Sequence, residues 1–181
     1  MGRWAMSSRI ERAVAAVSKL SLAVAAVACL SCLALVCYGV AMRYFLGRPQ
    51  SWADEAVGWL VVIVVMLAVP EAQRRGENIG VDWLVERWSG AKRRAVLALG
   101  ALSVAAVAVM FVVEGAETVM FTRMVGIVSN ALPEVPLWAI QGLIPLGGLL
   151  LLLVALAQLA AWASGREPEG YESGGRLDTH E

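Results

Sequence analysis

The sequence predicts an all-α integral membrane protein with four transmembrane helices and a short amphipathic interfacial helix. Two observations support this fold class. Hydrophobic residues make up 59% of the 181-residue chain, which exceeds the usual share in a soluble domain. The charged residues are concentrated between long apolar runs, and each run is long enough to cross a bilayer as a helix, which takes about 20 residues.

The apolar runs divide the chain into an N-terminal segment, one four-helix membrane domain and a polar tail. The predicted boundaries of these three parts are 1–12, 13–164 and 165–181. The predicted spans are 13–42, 56–72, 95–115 and 137–162. The first run would be roughly 45 Å long as a helix, so we expect it to tilt or to protrude from the bilayer. The tail is rich in Gly and Glu, and we expect it to be disordered.

The second and fourth spans carry local signals of their own. Ser51 is a favourable N-cap residue, and Asp54 follows three positions later as in a capping box. Asp54 and Glu55 place negative charge at the positive end of the helix dipole. We therefore expect the second helix to begin at Trp52, with the indole at the headgroup level. In the fourth span Pro145 predicts a kink or one loosened turn.

The distribution of Lys and Arg predicts the orientation of the four spans. The N-terminal segment, the loop between spans two and three and the tail together carry twelve of these residues, whereas the opposite side carries three. Basic residues accumulate in cytoplasmic loops. We therefore expect both termini to face the cytoplasm.

The loop between spans two and three has the pattern of an amphipathic helix at about 81–90. Its apolar positions follow the i, i+3, i+4, i+7 rule and are Val81, Leu84, Val85 and Trp88. The basic run after it is Lys92, Arg93 and Arg94. We expect the helix to lie in the membrane interface and the basic run to contact anionic lipid headgroups. The alternative is an ordinary connecting helix packed beneath the bundle.

The composition argues against enzymatic chemistry and against nucleic-acid binding. His180 is the only histidine, so haem ligation by paired histidines, a histidine-based zinc site and a Ser-His-Asp triad are excluded. All three cysteines lie inside the first apolar run, where we interpret them as small apolar residues rather than a disulfide framework. Basic and acidic residues balance, so nothing indicates a nucleic-acid partner. We expect no catalytic residue, no metal and no cofactor.

Few ionisable residues fall near the predicted spans. Glu71 lies near the end of the second, and Glu114 and Glu117 lie near the end of the third, with Arg123 beyond them. A coupling-ion site or a charged partner contact is one interpretation. We favour the alternative, that these groups sit at the headgroup boundary and reach into water, because no acidic residue is predicted at the bilayer midplane.

Three stretches resemble a known family. The stretch 43–55 contains an Arg-Tyr pair that closes the first helix, then an Arg-Pro pair and a Ser-Trp pair before two acidic residues. This arrangement resembles the linker between spans one and two in the small, DctQ-type subunits of TRAP (tripartite ATP-independent periplasmic) transporters. The stretches 74–82 and 129–138 are similar to later segments of the same family, in the same order.

The resemblance implies a multi-pass protein of the bacterial inner membrane in a three-part transporter. Its partners would be a large membrane subunit, which carries an organic acid by a sodium-driven elevator movement, and a periplasmic substrate-binding protein. The small subunit would be a non-catalytic scaffold. The suspected partner interface consists of Arg43, Tyr44, Arg48, Trp52, Asp54 and Glu55. The alternative function is a self-sufficient four-helix transporter or channel that acts as a homo-oligomer.

Overall fold

The computed structural model describes residues 2–76, 91–131 and 134–164, which form five helices. Their bounds are Gly2–Phe45 (α1), Ser51–Arg75 (α2), Ala91–Val125 (α3), Leu137–Gln141 (α4) and Leu143–Ala163 (α5). The spans long and apolar enough to cross a membrane are Arg12–Phe45, Ser51–Arg75, Ala95–Val125 and Leu137–Ala163. The prediction of an all-α protein with four such spans is confirmed. The predicted interfacial helix at 81–90 lies outside the described residues.

The helix ends differ from the predicted ones in two places. Gln50, not Ser51, occupies the N-cap position of α2, and its side chain accepts no capping hydrogen bond from the backbone of the helix. The predicted capping box is therefore wrong, and α2 begins one residue before Trp52. The third helix starts at Ala91, so the basic run 92–94 forms its first turn rather than part of the preceding loop.

The fourth span is interrupted at Gly142, which separates α4 from α5. Pro145 lies in the first turn of α5 and has no N–H to donate to the carbonyl of Gln141, four residues earlier. The loosened turn predicted for Pro145 is thus present, and it appears as a break on the N-terminal side of the proline.

The helices pack as an open layer in the order α1, α2, α5, α3. Extensive contacts join α1 to α2, α2 to α5 and α3 to α5, whereas α1 meets α5 only marginally and α4 packs on α3. A closed four-helix bundle would also join α1 to α3, but these two described helices share at most marginal contact. The layer therefore has two edges, α1 and α3.

Glycines bring the central helix α5 close to both of its neighbours. A Cβ built on Gly147 would lie 2.6 Å from the Cβ of Met66 in α2, and one built on Gly148 would lie 2.8 Å from the Cβ of Phe111 in α3. A Cβ on Gly115 of α3 would lie 2.9 Å from the Cδ of Pro145. Because attraction between helices in lipid comes mainly from close packing, these contacts stabilise the centre of the layer.

Candidate functional site

Polar side chains lie at both ends of the helices. We call the end that contains the α1–α2 linker (residues 46–50) and the α3–α4 connection (residues 126–136) the linker end. We call the opposite end, where α2 and α5 finish, the Glu71 end. The helix contacts show that α3 begins at the Glu71 end and finishes at the linker end, antiparallel to α5.

At the linker end an ion pair joins the first two helices. The guanidinium of Arg43 donates a hydrogen bond to Asp54 Oδ2 at 3.0 Å, and the two side chains are 55% and 66% exposed. An exposed pair of this kind contributes at most about 1 kcal/mol. The ring of Trp52 lies 6.0 Å from that of Tyr38, and its Nε1 donates to Gln50 Oε1 at 3.0 Å. These contacts orient the short linker.

Glu55 connects α2 to the α3–α4 connection. Its Oε2 accepts a hydrogen bond from the backbone N–H of Ala131 at 2.9 Å. Two further backbone hydrogen bonds hold the two halves of the connection together. Ser129 N–H donates to the Val135 carbonyl, and Leu137 N–H donates to the Ile127 carbonyl. Glu55 therefore holds together two segments that are far apart in sequence.

The structure thus brings four of the six suspected interface residues into contacts within this chain. Arg43, Trp52, Asp54 and Glu55 all have partners within the chain. Tyr44 is 79% exposed, and the side chain of Arg48 is also exposed. A second aromatic contact at this end places Arg123 over the ring of Trp138, at 5.6 Å from the centroid. Among the six suspected interface residues, Tyr44 and Arg48 are therefore the two that are exposed and stand outside these contacts.

At the Glu71 end a carboxylate is buried between two arginines. The side chain of Glu71 is 1% exposed. Arg74 donates to both of its oxygens at 2.7 Å, through Nε and through a terminal nitrogen, and Arg75 Nε donates at 2.8 Å. Bidentate arginine–carboxylate pairs are among the strongest side-chain interactions. Sequence reasoning placed Glu71 near the helix end but missed this burial, although the i, i+3 and i+4 spacing to two arginines is a signal of pairing.

A pair of glutamines links α2 to α5 beside this cluster. Gln73 Nε2 donates to Gln158 Oε1 at 2.7 Å, and Gln158 Nε2 donates to the Gln73 carbonyl at 2.8 Å. Both side chains are buried. The sequence analysis did not predict this contact. The signal that could have indicated it is Gln158, a single amide side chain within the apolar α5.

Two glutamates of α3 occupy an exposed surface and lie further from the end of the third span than the sequence predicted. The span Ala95–Val125 has Met110 at its middle, and Glu114 lies only about 6 Å from it along the helix axis. Glu114 lies eleven residues, roughly 16 Å, before the end of this span, and Glu117 lies eight residues before it. Both side chains are exposed. The headgroup-boundary interpretation of Glu114 and the interpretation as a charged partner contact both stay predictions.

The sequence model of one protein family matches this chain. The family is described as "Tripartite ATP-independent periplasmic transporters, DctQ component", and the match covers residues 32–165. The chain belongs to the DctQ family. No curated protein sequence matches it.

Membership of the DctQ family makes this chain a small component of a TRAP transporter and a multi-pass protein of the inner membrane. The DctQ family is a family of transporter components, and it implies partnership with other TRAP subunits. The resemblance inferred from the linker sequence is thereby confirmed. The matched range contains both glutamates of α3, the Glu71 cluster and the whole linker end, so each of these features belongs to the DctQ portion of the chain.

Proposed function

We propose that this DctQ subunit is a non-catalytic scaffold for the large membrane subunit of its transporter. The large subunit carries an organic acid by a sodium-driven elevator movement, and a periplasmic binding protein delivers the substrate. In this proposal the linker end faces the periplasm and both termini face the cytoplasm, as the distribution of Lys and Arg favours.

The observation that carries the proposal is the open layer of helices. An elevator domain can only translate against a frame that does not move with it. An open layer of helices, joined at its centre by glycine contacts between α5 and both neighbours, extends such a frame sideways in the membrane. The buried Gln73–Gln158 pair resists sliding of α2 along α5, since sliding would leave two buried amides unsatisfied.

The linker end is the proposed contact surface for partners outside the membrane. Tyr44 and Arg48 would contact the partner directly. The other residues of the predicted interface would hold the linker in shape through their contacts within the chain. At the opposite side, the predicted interfacial helix and the basic run 92–94 would contact lipid headgroups and oppose tilting of the layer.

Reconstitution of the purified components into proteoliposomes tests this function. The large subunit, the periplasmic protein and this chain together should accumulate an organic acid when a sodium gradient is imposed, and omission of this chain should abolish accumulation. Accumulation that is equally fast without this chain would contradict the scaffold function. Solute flux by this chain alone, in vesicles that lack the large subunit, would instead establish the homo-oligomeric transporter.

A further inference from the structure

One face of α3 carries a regular stripe of exposed residues directly opposite the side that packs on α5. The buried residues toward α5 include Ala101, Ala105 and Ala108. The stripe on the other side, which we call the exposed face of α3, alternates spacings of three and four residues. It consists of Val107, Met110, Glu114, Glu117, Phe121 and Met124, all of them exposed.

This spacing is the pattern by which one helix packs along another. Alternation of three and four residues keeps a stripe facing a neighbouring helix over several turns. The side chains are large: Met110 is 63%, Phe121 61% and Met124 82% exposed. A further helix placed on this face would continue the layer in the order α1, α2, α5, α3 and then the partner.

Contact with lipid chains is unfavourable for this face, because its two glutamates would be exposed to hydrocarbon. Side chains on a helix are tilted toward its N-terminus, which for α3 is the Glu71 end. The Cα–Cβ bond of Glu114 therefore tilts away from the linker end and toward the middle of the span Ala95–Val125. By contrast, α1 has no charged residue between Lys19 and Arg43, and its exposed apolar face suits lipid. The two edges of the layer thus differ in what can cover them.

We propose that the exposed face of α3 docks a transmembrane helix of the large subunit, and that this helix pairs a basic or hydrogen-bond-donating side chain with Glu114. The inference rests on the proposed function, because it assumes that a large membrane subunit binds this chain. The position of Glu114 within the span Ala95–Val125 selects this partner over the periplasmic protein, since a soluble protein does not enter the hydrocarbon. Ionisable residues within spans usually face another helix or a water-filled cavity rather than lipid.

Photocrosslinking in the assembled transporter tests the placement. A photoreactive residue replaces Met110 or Phe121 in one pair of variants, and Val27 or Leu30 on the exposed face of α1 in the matched control pair. The α3 variants should form a covalent product with the large subunit, and the α1 variants should not. Products from α1 but not from α3, or a product with the mass of two copies of this chain, would overturn the inference.

Charge reversal tests the role of the carboxylate. Glu114→Lys should lower recovery of the large subunit in a mild-detergent pull-down by roughly tenfold or more, as expected for breaking a desolvated charge pair. Lys19→Glu, a charge reversal at an exposed position on α1, should leave recovery unchanged. Unchanged recovery with Glu114→Lys would overturn the pairing. Absence of the large subunit from the wild-type pull-down would instead refute the proposed function itself, so the two failures are distinguishable.

Discussion

Gly147 in α5 lies directly against Met66 in α2, so closely that an added Cβ would stand 2.7 Å from the Met66 carbonyl oxygen. Pro70 lies four residues after Met66 and has no N–H with which to bond this carbonyl. The closest approach of the two helices therefore falls where the backbone of α2 is already freed from its regular hydrogen-bond pattern. Both features are needed for α5 to sit at the centre of the layer.

Gly147→Ala should destabilise the protein by about 1–3 kcal/mol. The new methyl group meets backbone atoms of Met66, which cannot rotate away, so α2 and α5 must separate. Denaturation of the purified protein in detergent measures the change. Gly58→Ala, at a position in α2 where a Cβ would meet nothing within 4 Å, is the control and should be neutral. Equal stabilities of the two variants would contradict this account of the packing.

The amides of Gln73 and Gln158 should be energetically coupled. Gln73→Leu and Gln158→Leu should each destabilise the protein, and the double variant should lose less than the sum of the two. The expected coupling is about 0.6–1.7 kcal/mol, the range found for hydrogen bonds between helices in membranes. Denaturation of all four proteins of the double-mutant cycle measures it. Strictly additive losses would show that the bonds of 2.7 and 2.8 Å contribute no coupling.

The fold class was predictable because the length of each apolar run can be measured on a continuous stretch of sequence. The order of helices in the layer was not, because it depends on which glycines meet which backbone, as with Gly147 and Met66. The position of Glu114 well inside the third span was missed for a related reason. Two glutamates lower the local hydropathy, so the third span seemed to end at Gly115, whereas the helix continues to Val125.

The linker shows the same division between local and tertiary information. The family resemblance was visible in the stretch 43–55 because it is a continuous sequence motif. The partners of its side chains were not visible, since the bond from Ala131 to Glu55 joins residues that lie 76 positions apart. The burial of Glu71 likewise depends on helix packing, which the i, i+3 and i+4 pattern does not describe.

Glu71→Gln should cost far more stability than Asp54→Asn. Glu71 is 1% exposed and accepts hydrogen bonds from two arginines, so loss of its charge should cost about 1.5–3 kcal/mol, as for hydrogen bonds to charged groups. Asp54 pairs with Arg43 in a setting where both side chains are more than half exposed, and its loss should cost less than about 1 kcal/mol. Denaturation in detergent compares the two variants. A larger loss of stability from Asp54→Asn than from Glu71→Gln would show that the Arg43–Asp54 pair contributes more to stability than the Glu71 cluster does.

Glu55→Ala should loosen the α3–α4 connection without unfolding the helices. The variant leaves the Ala131 N–H without the carboxylate acceptor that it has at 2.9 Å. Hydrogen exchange of the segment 127–131 should therefore accelerate, by roughly tenfold for a bond worth about 1.4 kcal/mol. Glu55→Gln keeps an acceptor oxygen at this position and should exchange more slowly than Glu55→Ala. Identical exchange in the wild type and both variants would show that the contact does not hold the connection.

The orientation can be measured with single cysteines. Cys29, Cys32 and Cys37 are free and are first replaced by serine or alanine. Arg48→Cys at the linker end should then react with a membrane-impermeant maleimide in intact cells whose outer membrane has been permeabilised. Ser164→Cys, at an exposed position beyond α5, should react only after the inner membrane is opened. The excess of Lys and Arg on the side of the termini predicts this result, and the reverse labelling pattern would place the linker end in the cytoplasm.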